Sequence, residues 1–296
     1  MRVTSGMMVR STLRDLSLNL GRLQETQTKL ATGKEITRPS SNPGATAAAM
    51  NMRQDLRRSD QRMRSLGDAQ AWLQTADGAL TSGLGVMGRA KELAVRGAST
   101  GGLGDPVARQ AIAMEIRSLR SDLIAISNTS YGNRSIFNGT VDGAAYDAAG
   151  TYLGNAATVT RDVAPSTTVA VNVTGPVAFG TAGVGAGDAF EVLERLAAAI
   201  EAGDSTAIAT EHTNLDAATV RLGSATVEVG TRSARLGEIE ARAENDMLLL
   251  TTQLSQVEDV DIVDALIRVK AQESSYQATL QVAAKILPGS LLDYLR

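Results

Sequence analysis

The side chains able to do chemistry are few, and their spacing limits what they could do. The chain has one histidine, His212, and no cysteine. Thiol catalysis, disulfides and zinc–thiolate sites are excluded, and a single imidazole cannot form a His–His metal pair. His212 sits beside an apolar seam and reads as a solvated or half-buried helix residue. Glu258, Asp259, Asp261 and Asp264 crowd together but lack the spacing of a calcium loop. They read as a helix break with acids at the positive N-terminal end of the next helix. Gly183-Val184-Gly185-Ala186-Gly187-Asp188 misses the dinucleotide-loop spacing and contains no lysine, so it reads as a hinge. Asp142, Asp147 and Asp162 have no histidine or nucleophile setting near them, which disfavours a hidden hydrolase. The expectation is no catalytic residue, no metal and no cofactor.

Charge and aromatic content point away from other ligands. Arg53, Arg57, Arg58, Arg62 and Arg64 are interleaved with Asp55 and Asp60 and have no aromatic companions. With a formal charge of -3, they read as an exposed or subunit-facing helix side, not a nucleic-acid surface. Trp72 reads as a packing residue. Aromatics are 3% of 296 residues, so the core is expected to be aliphatic, which suits helix seams better than a deep pocket. No apolar run approaches the ~20 residues of a membrane span, so membrane insertion is not expected. The stretch Met1 to Leu20 carries Arg2, Arg10, Arg14 and Asp15 without the apolar centre of a Sec-type signal.

The elements that must hold these residues are mostly helices. Leu13, Leu16, Leu20, Leu23 and Leu30 recur at helical spacing, with Gln27 in the polar slot, and Gly33 is a plausible stop. A loop from Lys34 to Asn42 follows. Asn42 and Pro43 have the chemistry of an N-cap and first position. A very long helix then runs through Ala49, Leu56, Leu66, Leu73, Leu80, Met87 and Ala94. Gly78, Gly83, Gly85 and Gly88 weaken its second half, or permit a close neighbour. Gly101 to Gly104 makes a turn, and Asp105–Pro106 opens a helix striped with Ile112, Ile116, Leu119, Leu123 and Ile126.

From Val141 to Gly187 charges nearly vanish, and Thr, Val, Ala and Gly dominate. Thr167 to Thr174 alternates as a strand, with Val169, Val171 and Val173 on one side; Thr158 to Arg161 is a second candidate. Helix resumes at Asp188 with Phe190, Leu193, Ala197 and Ile200, and turns at Gly203–Asp204. Ile208, Leu215, Leu222, Val229, Leu236, Ala243, Leu250 and Val257 then recur every seven residues, the period of a left-handed coiled-coil seam. The register breaks at Glu258 to Asp261. It restarts as Ile262, Leu266, Val269, Tyr276, Leu280, Ala283 and Leu287, with Pro288–Gly289 expected to interrupt it.

These readings give a mainly α fold with long antiparallel coiled-coil helices built from both chain ends and a small inserted β domain. Three regions are expected: 1–42 with 251–296, a terminal helical assembly domain; 43–140 with 188–250, a helical rod; and 141–187, a small outer β domain. Two amphipathic helices make a thin structure. A buried Leu contributes ~1.5–3 kcal/mol, against ~1–2 kcal/mol per residue for ordering the backbone. The terminal helices are therefore expected to gain order from other subunits. The expected assembly surface is Leu13, Leu16, Leu20, Leu23, Leu30, Ile262, Leu266, Val269, Tyr276, Leu280 and Leu287.

Five strings carry a family resemblance. Leu30-Ala31-Thr32-Gly33-Lys34-Glu35-Ile36 with Arg38-Pro39-Ser40-Ser41-Asn42-Pro43 resembles the loop after the first helix of the flagellin family. Leu73-Gln74-Thr75-Ala76-Asp77-Gly78-Ala79-Leu80 is similar to a second family string, and Gly132-Asn133-Arg134-Ser135-Ile136-Phe137-Asn138-Gly139 to the turn before the outer domain. Ser255-Gln256-Val257-Glu258-Asp259-Val260-Asp261 resembles the acidic break before the last helix. Ser290-Leu291-Leu292-Asp293-Tyr294-Leu295 resembles the tail of the family's hook–filament junction members, not that of filament flagellins. The resemblance spans nearly the whole chain apart from Val141 to Gly187. It implies a non-enzymatic subunit of the bacterial flagellum, exported unfolded through the flagellar type III channel, with an export chaperone, to an extracellular position. Its implied partners are copies of itself, flagellin on the filament side and another hook-associated junction protein on the hook side. Filament flagellin and a free coiled-coil adaptor are the rival readings.

Overall fold

The computed structural model describes residues 5–99, 104–164, 167–183 and 187–292. Its elements are α1 (Ser5–Thr32), α2 (Pro43–Ala98), α3 (Pro106–Ser127), β1 (Ser130–Tyr131), β2 (Arg134–Ser135), β3 (Thr160–Ala164), β4 (Thr167–Ala170), α4 (Gly175–Phe179), α5 (Ala189–Ala202), α6 (Ser205–Glu258) and α7 (Ile262–Leu292). The chain divides into two compact units, Met1–Arg58 with Asn245–Arg296, and Ser59–Glu244.

Side-chain caps set where the helices begin. The Asn42 carboxamide oxygen accepts from the Ala45 amide at 3.0 Å. Asp105 accepts from Val107 at 2.9 Å, and Asp188 from Glu191 at 2.7 Å. Each satisfies an amide that the first turn leaves unpaired. Gly203 closes α5 at φ 72°, a conformation that favours glycine.

The larger unit holds the main core. Leu66, Leu73, Leu80, Met87 and Ala94 of α2 are buried, as are Ile112, Ile116 and Leu123 of α3 and Leu193, Ala197 and Ile200 of α5. From α6, Ile208, Leu215, Leu222, Val229 and Leu236 complete it, so the seven-residue seam is the buried face; beyond Leu236 it is only half-buried. Glycines in α2 do not break the helix. At Gly83 a β-carbon would come within 3.1 Å of Leu222 and 3.4 Å of Leu123, so three helices converge where this side chain is missing. Gly97 allows Ile200 the same approach at 3.0 Å.

The segment 141–187 shares this core. β3 and β4 pair antiparallel with Arg161 opposite Val169, and the register shifts between Asp162 and Ala164. Val169, Val171 and Val173 are all buried, and Asn172 between the last two is buried as well. The regular ladder stops at Ala170, short of the expected Thr174. The chain then turns into the short helix α4. The expectation of an aliphatic core is corrected here. All three phenylalanines, Phe137, Phe179 and Phe190, gather with Tyr146, with Phe137 edge-on to Phe179 at 5.2 Å and Tyr146 edge-on to Phe190 at 4.8 Å. The phenylalanines are concentrated with Tyr146, so they fill one site that aliphatic seams leave open. Trp72 is buried with its ring edge-on to Tyr131 at 5.8 Å.

The smaller unit pairs α1 with α7. The helices run antiparallel, because Gly33 at the end of α1 accepts from Val260 before α7, while Asn19 donates to Thr279 farther along. Among the described residues, the unit's buried apolar side chains are Leu23, Ala49, Ala265, Val269 and Ala283, a slender core. α7 continues through Pro288–Gly289 to Leu292, which corrects the expected interruption. Proline lacks one N–H donor and removes one helical bond, close to the helix end. Residues 101–103 of the expected turn at Gly101 to Gly104, and part of the expected hinge before Asp188, lie outside the described residues.

Candidate assembly site

Two helix faces must be distinguished in the α1–α7 pair. One face of α1 presents Leu16, Asn19, Leu23, Thr26 and Leu30 at alternating spacings of three and four, and all are partly or fully covered. The covered face of α7 presents Ala265, Val269, Gln272, Tyr276, Thr279 and Ala283 at the same alternation. This is an antiparallel two-helix seam with polar residues at several of its positions. The Asn19–Thr279 bond of 3.2 Å satisfies one of them, whereas the buried Gln272 Oε1 has no partner.

The expected assembly residues fall on both sides of this division. Leu16, Leu23, Leu30, Val269 and Tyr276 turn toward the seam. Leu13, Leu20, Ile262, Leu266 and Leu280 remain exposed. Met7, Leu18, Val263 and Ile267 add to the exposed apolar side chains of the same two helices. Leu287 lies on α7, but its side chain is outside the described residues.

A polar latch holds the foot of this hairpin. The Glu35 amide donates to the Glu258 carbonyl at 2.7 Å and the Val260 amide to the Gly33 carbonyl at 3.0 Å, so a short antiparallel bridge joins the two chain connections. Gly33 has φ 69°, which turns the chain out of α1 into this bridge. Glu258, 4% exposed, receives Arg53 and, at 3.6 Å, Lys34. Lys34 also donates to Asp259 at 2.7 Å, and Ser255 donates to the other Asp259 oxygen at 2.6 Å. The hydrogen bonds from Lys34 and then Ser255 hold the Asp259 carboxyl below its ordinary range. Asp259 in turn raises the Lys34 ammonium, partly opposed by desolvation. Asp261 caps α7 by accepting from Val263 at 2.9 Å and Asp264 at 3.2 Å. The acids therefore serve as a cap and as ion-pair partners. Sequence reasoning saw Lys34 and the acidic string separately but missed their pairing across 225 positions.

Other chemistry-bearing groups are spoken for structurally. His212 stands 3.7 Å from Asp216, which also receives Lys91 at 2.5 Å. Among the described residues no group of three or more His, Asp or Glu could hold a metal ion, and no described helix is long and apolar enough to cross a membrane. A groove of about 750 Å³ in the smaller unit is lined by Gln24, Glu25, Thr28, Arg38 and Ser41 among others.

Residues 3–142 match the family model of the bacterial flagellin N-terminal helical region. Flagellin of Bacillus subtilis is 30% identical over 141 residues, 47% of this chain and 46% of that one. The chain thus matches about half the length of that relative. A flagellar hook-associated protein from Vibrio parahaemolyticus superposes with TM-score 0.68 at 17% identity, over 74% of this chain and all of that structure. The flagellar junction protein FlgL of Legionella pneumophila superposes with TM-score 0.56 at 15% identity, over 72% of this chain and all of that one. Residues 3–142 are thus similar to the N-terminal helical region of bacterial flagellins, and the fold is shared with flagellar hook-associated and junction proteins.

Proposed function

We propose that this chain is a non-enzymatic structural subunit of the bacterial flagellum that joins hook to filament through self-assembly of its terminal helices. The observation that carries the reading is the α1–α7 hairpin. Its own seam buries little apolar surface, while Leu13, Leu20, Ile262, Leu266 and Leu280 remain uncovered. Such a pair gains its stability when neighbouring copies cover that face. The partners in this reading are further copies, flagellin on one side and another hook-associated junction protein on the other. The subunit is exported through the flagellar type III channel with a chaperone and works outside the cell. The terminal, rod and 141–187 regions divide the labour as assembly, spacing and outer surface.

Filament flagellin is the second reading, favoured by the sequence match to the Bacillus subtilis protein. Electron microscopy of a deletion strain separates the two. The junction reading expects intact hooks without filaments and flagellin shed into the medium. Normal filaments in the deletion strain overturn it. Loss of filaments with no flagellin shed, together with this chain as the bulk filament protein in the parent, favours the second reading.

A further inference from the structure

Two helices of the larger unit each carry a second, outward seam. On α3, Val107, Ala111, Met114, Ser118 and Ser121 follow a 4-3-4-3 spacing, and all are exposed. On α6, Val220, Ser224, Val227, Thr231 and Ala234 follow the same 4-3-4-3 spacing, and all are exposed. Val107 is 74% exposed, Met114 57%, and Val220 and Val227 69% each. No member of either row is charged. On α6 this row runs beside the inner row of Ile208, Leu215, Leu222, Val229 and Leu236, which is buried. The helix thus repeats its seven-residue period on two faces and uses one within the larger unit. An uncharged row at this spacing, here two heptads long, is a face on which another helix can pack.

Three of the four hydroxyls in these rows, those of Ser121, Ser224 and Thr231, are prepared for burial. Ser121 bonds the Arg117 carbonyl at 3.2 Å, Ser224 the Val220 carbonyl at 2.9 Å and Thr231 the Val227 carbonyl at 2.9 Å. A hydroxyl that already donates within its own helix leaves no unpaired donor when covered. Covering either row therefore removes apolar surface from water without stranding a charge or these donors.

We infer that the outer row of α3 on one copy packs against the outer row of α6 on the next copy. The inference rests on the reading of the chain as a self-assembling subunit. The two rows match each other in spacing, in lack of charge and in the placing of their larger side chains, with Val107 and Met114 answering Val220 and Val227. Two different patches meeting make a head-to-tail contact, which builds rings or helical tubes and not closed pairs. Its size supports the same conclusion. A helix face about 10 Å wide and about 21 Å long covers about 200 Å², far below the ~800 Å² per partner of a stable complex. The contact is too small to hold a dimer in solution and acts only within a lattice anchored elsewhere.

Because the chain lacks cysteine, engineered thiols test this directly. The native host carries Met114→Cys/Val227→Cys as its only copy of the chain, and sheared flagella are oxidised with copper phenanthroline and oxygen. The expected result is a ladder of covalent multimers from the double variant, only dimers from an equal mixture of the two single variants, and monomer from either alone. Filaments that grow but stay monomeric on oxidation overturn the contact while leaving the proposed function intact, as does Val227→Cys alone forming dimers as fast as the double variant. Absence of the unsubstituted chain from sheared flagella of the parent strain overturns the functional reading and the contact with it. A second variant guards against misfolding. Val227→Arg is expected to leave thermal unfolding of the purified subunit unchanged and to lower incorporation into flagella at least ten-fold. Unchanged incorporation overturns the contact.

Discussion

Lys34 and Asp259 lie 225 positions apart in the chain and meet at 2.7 Å. The ion pair fastens the loop leaving α1 to the residues entering α7, beside a backbone bridge made by Glu35, Glu258, Gly33 and Val260. The charged groups facing this point are Lys34, Arg53, Glu258 and Asp259. Asp259 is held below its ordinary range, so its contribution is complete above the unfolded carboxylate value and is lost as pH falls through the lowered one. Lys34 is raised, so its contribution is complete below the ordinary lysine value and fades as pH rises through the raised one. The latch is therefore expected to hold across neutral pH and open in acid. Exchange protection of the Glu35 and Val260 amides, corrected for intrinsic rates, should fall below about pH 4. In Asp259→Asn the protection should be weaker at neutral pH and should fall less steeply into acid, since only Glu258 of the two latch acids remains. An acid profile identical to that of the parent would remove Asp259 from the latch.

Glu258 is the more deeply placed acid of the latch, with Arg53 and Lys34 as its partners. Glu258→Gln keeps the shape and removes the charge. Because Arg53 is half exposed, the expected cost is about 1–2 kcal/mol, less than for a fully buried pair. Thermal unfolding of the variant, with Asp55→Asn as a surface control of little effect, measures it.

The exposed face of α7 should act in assembly and not in folding. Leu280 is 41% exposed, so Leu280→Asp is expected to change subunit stability by no more than about 0.5 kcal/mol. Within an assembly the same carboxylate would be buried without a partner, at a cost on the order of several kcal/mol per interface. Secretion should continue while cell-attached filaments disappear. Gln281→Asp, on an adjacent face, should be milder. Normal filaments on Leu280→Asp cells would rule out this face as the assembly surface.

Glycines on α2 should divide by what stands opposite them. A β-carbon at Gly97 would meet Ile200 at 3.0 Å, so Gly97→Val is expected to cost about 1–3 kcal/mol through overpacking. Nothing stands within 4 Å of the β-carbon position at Gly88, so Gly88→Ala should stabilise by up to about 1 kcal/mol through helix propensity. Denaturant midpoints of the two variants should move in opposite directions.

The aromatic cluster should be the most sensitive point of the larger unit. Phe179 touches Phe137, Tyr146 and Phe190, with ring centres 5.2, 5.8 and 5.6 Å away. Phe179→Ala is expected to cost about 3–5 kcal/mol. A loss below 1 kcal/mol, read by thermal or denaturant unfolding, would mean the cluster does not anchor the segment 141–187.

Much of this architecture was legible from local chemistry. Asn42, Asp105 and Asp188 mark helix starts because their side chains bond amides a few residues away, a relation that spacing alone reveals. The seven-residue row from Ile208 to Leu236 is visible because burial and period coincide. What stayed hidden depends on distant partners. Nothing near Lys34 specifies Asp259, and nothing near Phe137 specifies Phe179. The split of the α7 row into Val269 and Tyr276 toward α1, and Leu266 and Leu280 away from it, depends on how the helix is rotated about its axis. Helical spacing places all four on one broad face, and only the partner helix divides them.

Trp72 is the only tryptophan in the chain, and it is enclosed within the larger unit beside Tyr131. Its fluorescence is thus a single optical reporter located in Ser59–Glu244. Emission will follow the melting of that unit and remain silent about the hairpin of α1 and α7. Far-ultraviolet circular dichroism weighs both, because each contains long helices. Heating the subunit while recording the two signals separates them without any label. Ellipticity lost before the emission shifts belongs to the terminal hairpin, and the later, coincident change belongs to the larger unit.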